Sequence, residues 1–181
     1  MTLPFYTIGH STRTIEVFVE LLRAGRVTVV ADIRTVSRSR TNPQFNTDTL
    51  PQALAGFQIG YEHIAELGGL RSKAKAIDPD INGFWENTSF HNYADYALTT
   101  SFASGLNRLI ALGREQRCAM MCSEAVWWRC HRRLVADNLI ARGESVFHLM
   151  GKDKVDPAKL TPGARVGKNG TVTYTAKNIA G

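Results

Sequence analysis

Val27-Thr28-Val29-Val30-Ala31-Asp32-Ile33 is the stretch whose reading decides the fold. It is almost wholly apolar and rich in β-branched side chains, which favour extended backbone. A run of this length without polar alternation fits a strand covered on both faces, and such strands belong to parallel sheets. Upstream, Phe5-Tyr6-Thr7-Ile8 is a short β-prone run ending at Gly9-His10-Ser11. Between the two, Ile15, Phe18, Val19 and Leu22 recur at helical spacing and stop at Gly25.

The alternation continues downstream. Residues 34–45 are polar, with three arginines and Pro43. Asn46 or Thr47 can then cap a helix carrying Leu50 and Leu54, with Pro51 in its first turn. Residues 58–63 read as a third strand. Residues 66–90, with Gly68-Gly69, the basic Arg71, Lys73 and Lys75, and Phe84-Trp85, read as a long loop of the kind that often carries function. One long helix is expected over 91–112, a fourth strand over 118–122, a connection over 123–129, a helix over 130–142 stopped by Gly143, and a fifth strand over 145–149. Strands alternating with helices predict a single α/β domain over residues 1–150. Its sheet is mostly parallel, five-stranded and flanked by helices. Beyond Met150 the pattern stops. Residues 151–181 are expected to be an irregular C-terminal extension, either a short hairpin turning at Lys168-Asn169-Gly170 or partly disordered.

Length and composition agree with this. A chain of 181 residues suits one domain with a proper core, and 44% hydrophobic with 21% charged residues is ordinary for a globular protein. No apolar stretch approaches the roughly 18 residues of a membrane span. Residues 1–6 lack the basic and apolar regions of a signal peptide, so no membrane partner is expected and the cytoplasm is the expected compartment. Three cysteines do not read as a disulfide framework, so Cys118, Cys122 and Cys130 are taken as thiols. The net charge of +6 owes much to arginine, whose planar fork suits carboxylates and phosphates, and points to an anionic small molecule or nucleic acid as partner.

In open α/β sheets ligands bind beyond the carboxyl ends of the strands. The expected strand ends carry His10 and Ser11; Asp32 and Arg34; Tyr61 and His63; Cys122, Ser123 and Glu124; and His148. Asp32 and Arg34 flank Ile33 and so share a face. A buried Asp32 needs a partner in Arg34 or His10. The pair is either a structural salt bridge or a device that aims a basic residue at a ligand. Arg34, Arg38 and Arg40 lie in one loop, which is either a phosphate site or a solvated surface. The segment from Cys122 to Arg132 runs from a strand into a helix, where backbone N–H groups and the helix end favour anions. A cysteine there gains nucleophilic character, which makes Cys122 a candidate nucleophile. The outline is that of the Cys-x5-Arg phosphate loop of tyrosine phosphatases and rhodaneses. Six residues separate Cys122 from Arg129, however, and the segment has no glycine. Cys122, Glu124, Cys130 and His131 are all metal-ligand types. Cys130 and His131 point apart if both are helical, and no Cys-x2-Cys pair exists, so neither metal nor cofactor is expected. Trp127-Trp128 reads as packing rather than as a base-stacking platform.

Gly9-His10-Ser11, Asp32-Ile33-Arg34, Ser37-Arg38, Gly60-Tyr61-x-His63, Leu67-Gly68-Gly69 and Cys122-x-Glu124 followed by Cys130-His131-Arg132 occur in that order. This set resembles the prokaryotic family catalogued as domain of unknown function 488, over about residues 5–150. The resemblance implies a compact cytoplasmic α/β domain and no particular activity. It makes His10, Asp32, Arg34, Arg38, Tyr61, His63, Glu124, His131 and Arg132 the motif-bearing positions.

The leading expectation is an enzyme acting on a phosphate-bearing substrate, a nucleotide or nucleic acid. Arg34, Arg38, Arg40 and Arg132 would hold the anion, with Asp32, Tyr61 and His131 around it. Glu124 would be the general base or acid, helped by His10 or His63. The alternatives are a non-catalytic nucleic-acid-binding module and a thiol- or metal-dependent redox protein.

Overall fold

The computed structural model describes residues 2–176. Its centre is a six-stranded sheet built from Phe5–Gly9 (β1), Val29–Asp32 (β2), Gly60–His63 (β3), Cys118–Cys122 (β4), Val146–Gly151 (β5) and Lys154–Pro157 (β6), in the order β3-β2-β4-β1-β5-β6. The first five strands are parallel, and β6 returns antiparallel to β5. Every residue of β1, β2 and β4 is buried, and for β2 this accords with the almost wholly apolar run from Val27 to Ile33.

The strand order decides where the helices go. The connections from β1 to β2 and from β2 to β3 travel one way along the sheet. Those from β3 to β4 and from β4 to β5 travel the other way. Crossovers of one hand that travel in opposite directions cover opposite faces. Accordingly Ile15–Ala24 (α1) and Leu50–Ala55 (α2) place Phe18, Leu22, Leu50 and Leu54 against Tyr6, Ile8, Val30 and Met121. Thr88–Tyr96 (α3), Thr100–Glu115 (α4) and Arg132–Ala141 (α5) place Tyr93, Phe102, Leu106, Leu109 and Leu134 against Phe5, Ala31, Ile33 and Met120.

The structure departs from the sequence reading in four places. The expected long helix over 91–112 is two helices. Thr99 is extended (φ −87°, ψ 159°) and its hydroxyl accepts the Phe102 N–H, so it caps α4 and ends the run from α3. Neither Asn46 nor Thr47 caps α2. That helix begins after Thr49, and the Asn46 side chain accepts the Ser39 N–H instead. The helix expected from Cys130 begins at Arg132. The sheet gains a sixth strand from the C-terminal extension.

That extension packs on the core. Arg165–Val166 (β7) and Val172–Thr173 (β8) form a hairpin around Gly170, whose φ of +73° suits glycine. Tyr174 is wholly buried. It donates its hydroxyl to Asp137 at 2.7 Å and its N–H to Asn82 at 3.0 Å, and its carbonyl accepts the Phe84 N–H. Expected disorder at residues 177–181 lies outside the described residues. Among the described residues no helix is long and apolar enough to cross a membrane.

Candidate functional site

Strand β4 lies between β1 and β2. The loops after β1 and β2 lead to α1 and α2 on one face, and the loop after β4 leads to α5 on the other. Loops that leave neighbouring strands in opposite directions open a crevice between them, the usual ligand position in such sheets. A cleft of about 1060 Å³ opens here. Its walls include His10, Arg34, Arg38, Cys122, Glu124 and His131. Gly9 makes the junction possible, because a Cβ there would collide with the Glu124 carbonyl and drive the two loops apart.

Arg34 is the most firmly held of the cleft residues. Asp32 is fully buried at the end of β2 and accepts Arg34 Nε at 2.9 Å and Nη2 at 2.8 Å. Nη2 also donates to the Phe45 carbonyl at 2.7 Å, and Nη1 donates to His10 Nε2 at 3.2 Å. These bonds use every guanidinium N–H except one on Nη1. Tyr61 donates its hydroxyl to the other side of Asp32. Burial, and then the carboxylate, push this phenol up to about 12. His10 donates from Nδ1 to the Ser11 carbonyl, so its Nε2 is the lone pair that receives Arg34. Burial pulls the His10 pKa down, and the ring stacks on Phe45 with centroids 4.4 Å apart. In this arrangement His10 positions Arg34, and its Nε2 is already engaged.

The segment after β4 is built around Arg132, which is wholly buried at the start of α5. Nη1 donates to Cys122 Sγ at 2.9 Å and to the Glu124 carbonyl at 2.6 Å. Nη2 reaches the Ala125 carbonyl and Nε reaches Thr7 Oγ1. Burial lowers its pKa to about 9. This fork shapes the loop and is not among the cleft walls, so the expected anion contact from Arg132 is replaced by a scaffolding role. Cys130 is extended (φ −125°, ψ 146°) and His131 is the helix N-cap. The two therefore do not diverge as residues within a helix would. Cys122 Sγ, Cys130 Sγ and a ring nitrogen of His131 lie within 4.8 Å of one another.

The remaining candidates are more scattered. His63 Nε2 meets the Arg34 carbonyl at 2.8 Å and Ser37 Oγ at 3.3 Å, so it braces the loop after β2 and is not among the cleft walls. Asp32 and Tyr61 stand behind Arg34. Arg40 is exposed and also outside the walls. Arg38 lines the cleft and makes an exposed ion pair with Asp48 at 3.5 Å. Glu124 is exposed on the wall. Arg129 also lines the cleft, and sequence reasoning weighed it only as the arginine of a phosphate loop. Of the wall residues with fixed charge, three are arginines (Arg34, Arg38, Arg129) and one is acidic (Glu124); Arg34 is paired with the buried Asp32 and Arg38 with Asp48. Trp127 stacks on His148 at 4.5 Å, so it packs the loop rather than facing the cleft.

Fold and cleft together define a doubly wound α/β protein with an arginine-lined crevice at the strand ends. The chain belongs to the family described as domain of unknown function DUF488, whose model matches residues 14–139. That span contains α1 to α4 and most of α5, with Asp32, Arg34, His63 and the Cys122 to Arg132 segment, while Gly9-His10-Ser11 lies before it. No curated protein and no solved structure matches the chain.

Proposed function

We propose that the cleft binds a phosphate-bearing ligand, a nucleotide or a nucleic-acid strand, and that the protein acts on it as an enzyme. The supporting observation is Arg34, a buried guanidinium fixed by Asp32, His10 and Phe45, with one N–H to spare on the wall of an open cleft. A fixed cation loses little freedom on binding an anion, which is how pre-organised sites gain affinity. Arg38 and Arg129 add charge further out and can follow phosphates of different spacing. Glu124 lines the same cleft, and a carboxylate beside a held phosphate ester can take a proton from an attacking water or give one to a leaving oxygen.

The experiment is a calorimetric titration of nucleotides and short single-stranded oligonucleotides, at two salt concentrations, into the wild type and an Arg38→Ala/Arg129→Ala variant. Both arginines lie on the cleft wall outside the buried networks, so folding should be unaffected. The expected result is salt-sensitive binding that weakens at least about tenfold in the variant. Absence of binding, or equal binding by both proteins, would overturn the reading. Once a turned-over ligand is found, Glu124→Gln should bind it and fail to convert it. Tight binding with no turnover by the wild type would leave a binding module in place of an enzyme.

A further inference from the structure

We infer that Cys122, Cys130 and His131 form a three-ligand site for one thiophilic transition-metal ion, of which zinc is the type, set in the cleft wall with its fourth position open to the cleft.

Cys122 ends β4 and Cys130 stands two residues before α5, and their Sγ atoms lie within bonding distance of each other, against the expectation of separate thiols. Their Cα atoms are 7.6 Å apart, beyond the roughly 4.4–6.8 Å that a disulfide ordinarily spans. The pair therefore fits two sulfurs turned toward one point better than a bridge. The donors around them suit thiolates: Arg132 Nη1 lies 2.9 Å from Cys122 Sγ, and the Arg132 backbone N–H lies 3.5 Å from Cys130 Sγ. Hydrogen bonds of this kind steady ligating sulfurs.

His131 completes the set. Its Nε2 lies 2.8 Å from the Ile33 carbonyl, which can only accept, so Nε2 carries the proton. Nδ1 then presents a lone pair, 3.6 Å from Cys130 Sγ. An imidazole that donates one N–H to a carbonyl and offers the other nitrogen is the usual state of a metal-ligating histidine. A Cβ on Gly69 would strike this nitrogen, so a side chain at that position would close the approach that glycine leaves open. Two thiolates and one imidazole are a donor set that zinc takes in catalytic sites, where a water or substrate fills the fourth place. All three ligands line the cleft, as does Glu124. A water held on the ion would have its pKa brought down to about 7.

The inference does not rest on phosphate binding. A chain that takes up metal but no nucleotide would sink the proposal of the preceding section and leave this one standing.

The test uses the full chain, produced without a histidine tag, stripped with a chelator and titrated with Co2+ and then Zn2+. The expected result is about one ion per chain, thiolate-to-cobalt charge-transfer absorption, and its loss on adding Zn2+. Cys122→Ser and His131→Gln should each abolish that absorption, and Cys118→Ala should retain it. A thiol count on the unfolded wild type guards against variants that simply misfold. Three reactive thiols, without prior reduction, support the site. A single thiol, or no cobalt absorption by the wild type, would overturn it.

Discussion

Arg34 and Asp32 depend on each other. Asp32 has no exposure and Arg34 little, so removing either leaves a buried charge without its partner. Asp32→Ala should therefore cost about 3–5 kcal/mol in a urea unfolding experiment. Tyr61→Phe, which removes one hydrogen bond to the same carboxylate, should cost about 1–3 kcal/mol. The Asp32–Arg34 pair was legible in the sequence, because the period of two along a strand puts both on one face. The role of Arg132 was not. Sequence shows that an arginine follows Cys130-His131, but not that its guanidinium turns back into carbonyls and a sulfur. That Cys130 and His131 come together was not legible either: the sequence places both inside one helix, whereas α5 starts two residues later, at Arg132, and the extended Cys130 and the N-cap His131 turn their side chains to one place.

A second residue-scale prediction concerns pH. His148 accepts from Thr7 Oγ1, is 2% exposed, and has its pKa lowered from 6.5 to about 4, first by burial and then by Arg132. Between those values the unfolded chain binds a proton that the folded chain refuses. The contribution of His148 is therefore whole above pH 6.5 and is lost as pH falls toward 4. At pH 5 the loss amounts to about 2 kcal/mol. Unfolding midpoints at pH 7 and pH 5 should differ less in His148→Gln than in the wild type.

Helices and strands were the best-predicted scale, and the errors fell at their ends. The strand over 118–122 was read to the residue, because five apolar residues sit between clear breaks. The join between α3 and α4 was missed because Thr99-Thr100-Ser101 carries a capping signal inside an otherwise apolar-periodic run. Thr99→Ala should cost about 1 kcal/mol in thermal or urea unfolding, as expected when a capping hydroxyl is lost. The sixth strand was missed because β6 is short and mostly exposed, so no periodic pattern marks it.

At the scale of the molecule, the mostly parallel sheet flanked by helices followed from alternating elements, whereas strand order, and with it the double winding, did not, because it depends on which long-range pairs form. The order matters most for function, since it sets β4 between two strands whose loops leave by the opposite face. The C-terminal extension also belongs to this scale. Tyr174 and Val172 fill a site between α5 and the 82–84 segment. A chain ending at residue 150 should expose that surface and unfold at a clearly lower temperature than the full chain in calorimetry. The measurement that bears most directly on the cleft is a crystal structure with the best-binding nucleotide. The account predicts a phosphate oxygen within hydrogen-bond distance of Arg34 Nη1, with Arg38 or Arg129 closing on the same group. A ligand seated on any other face, with Arg34 untouched, would contradict it.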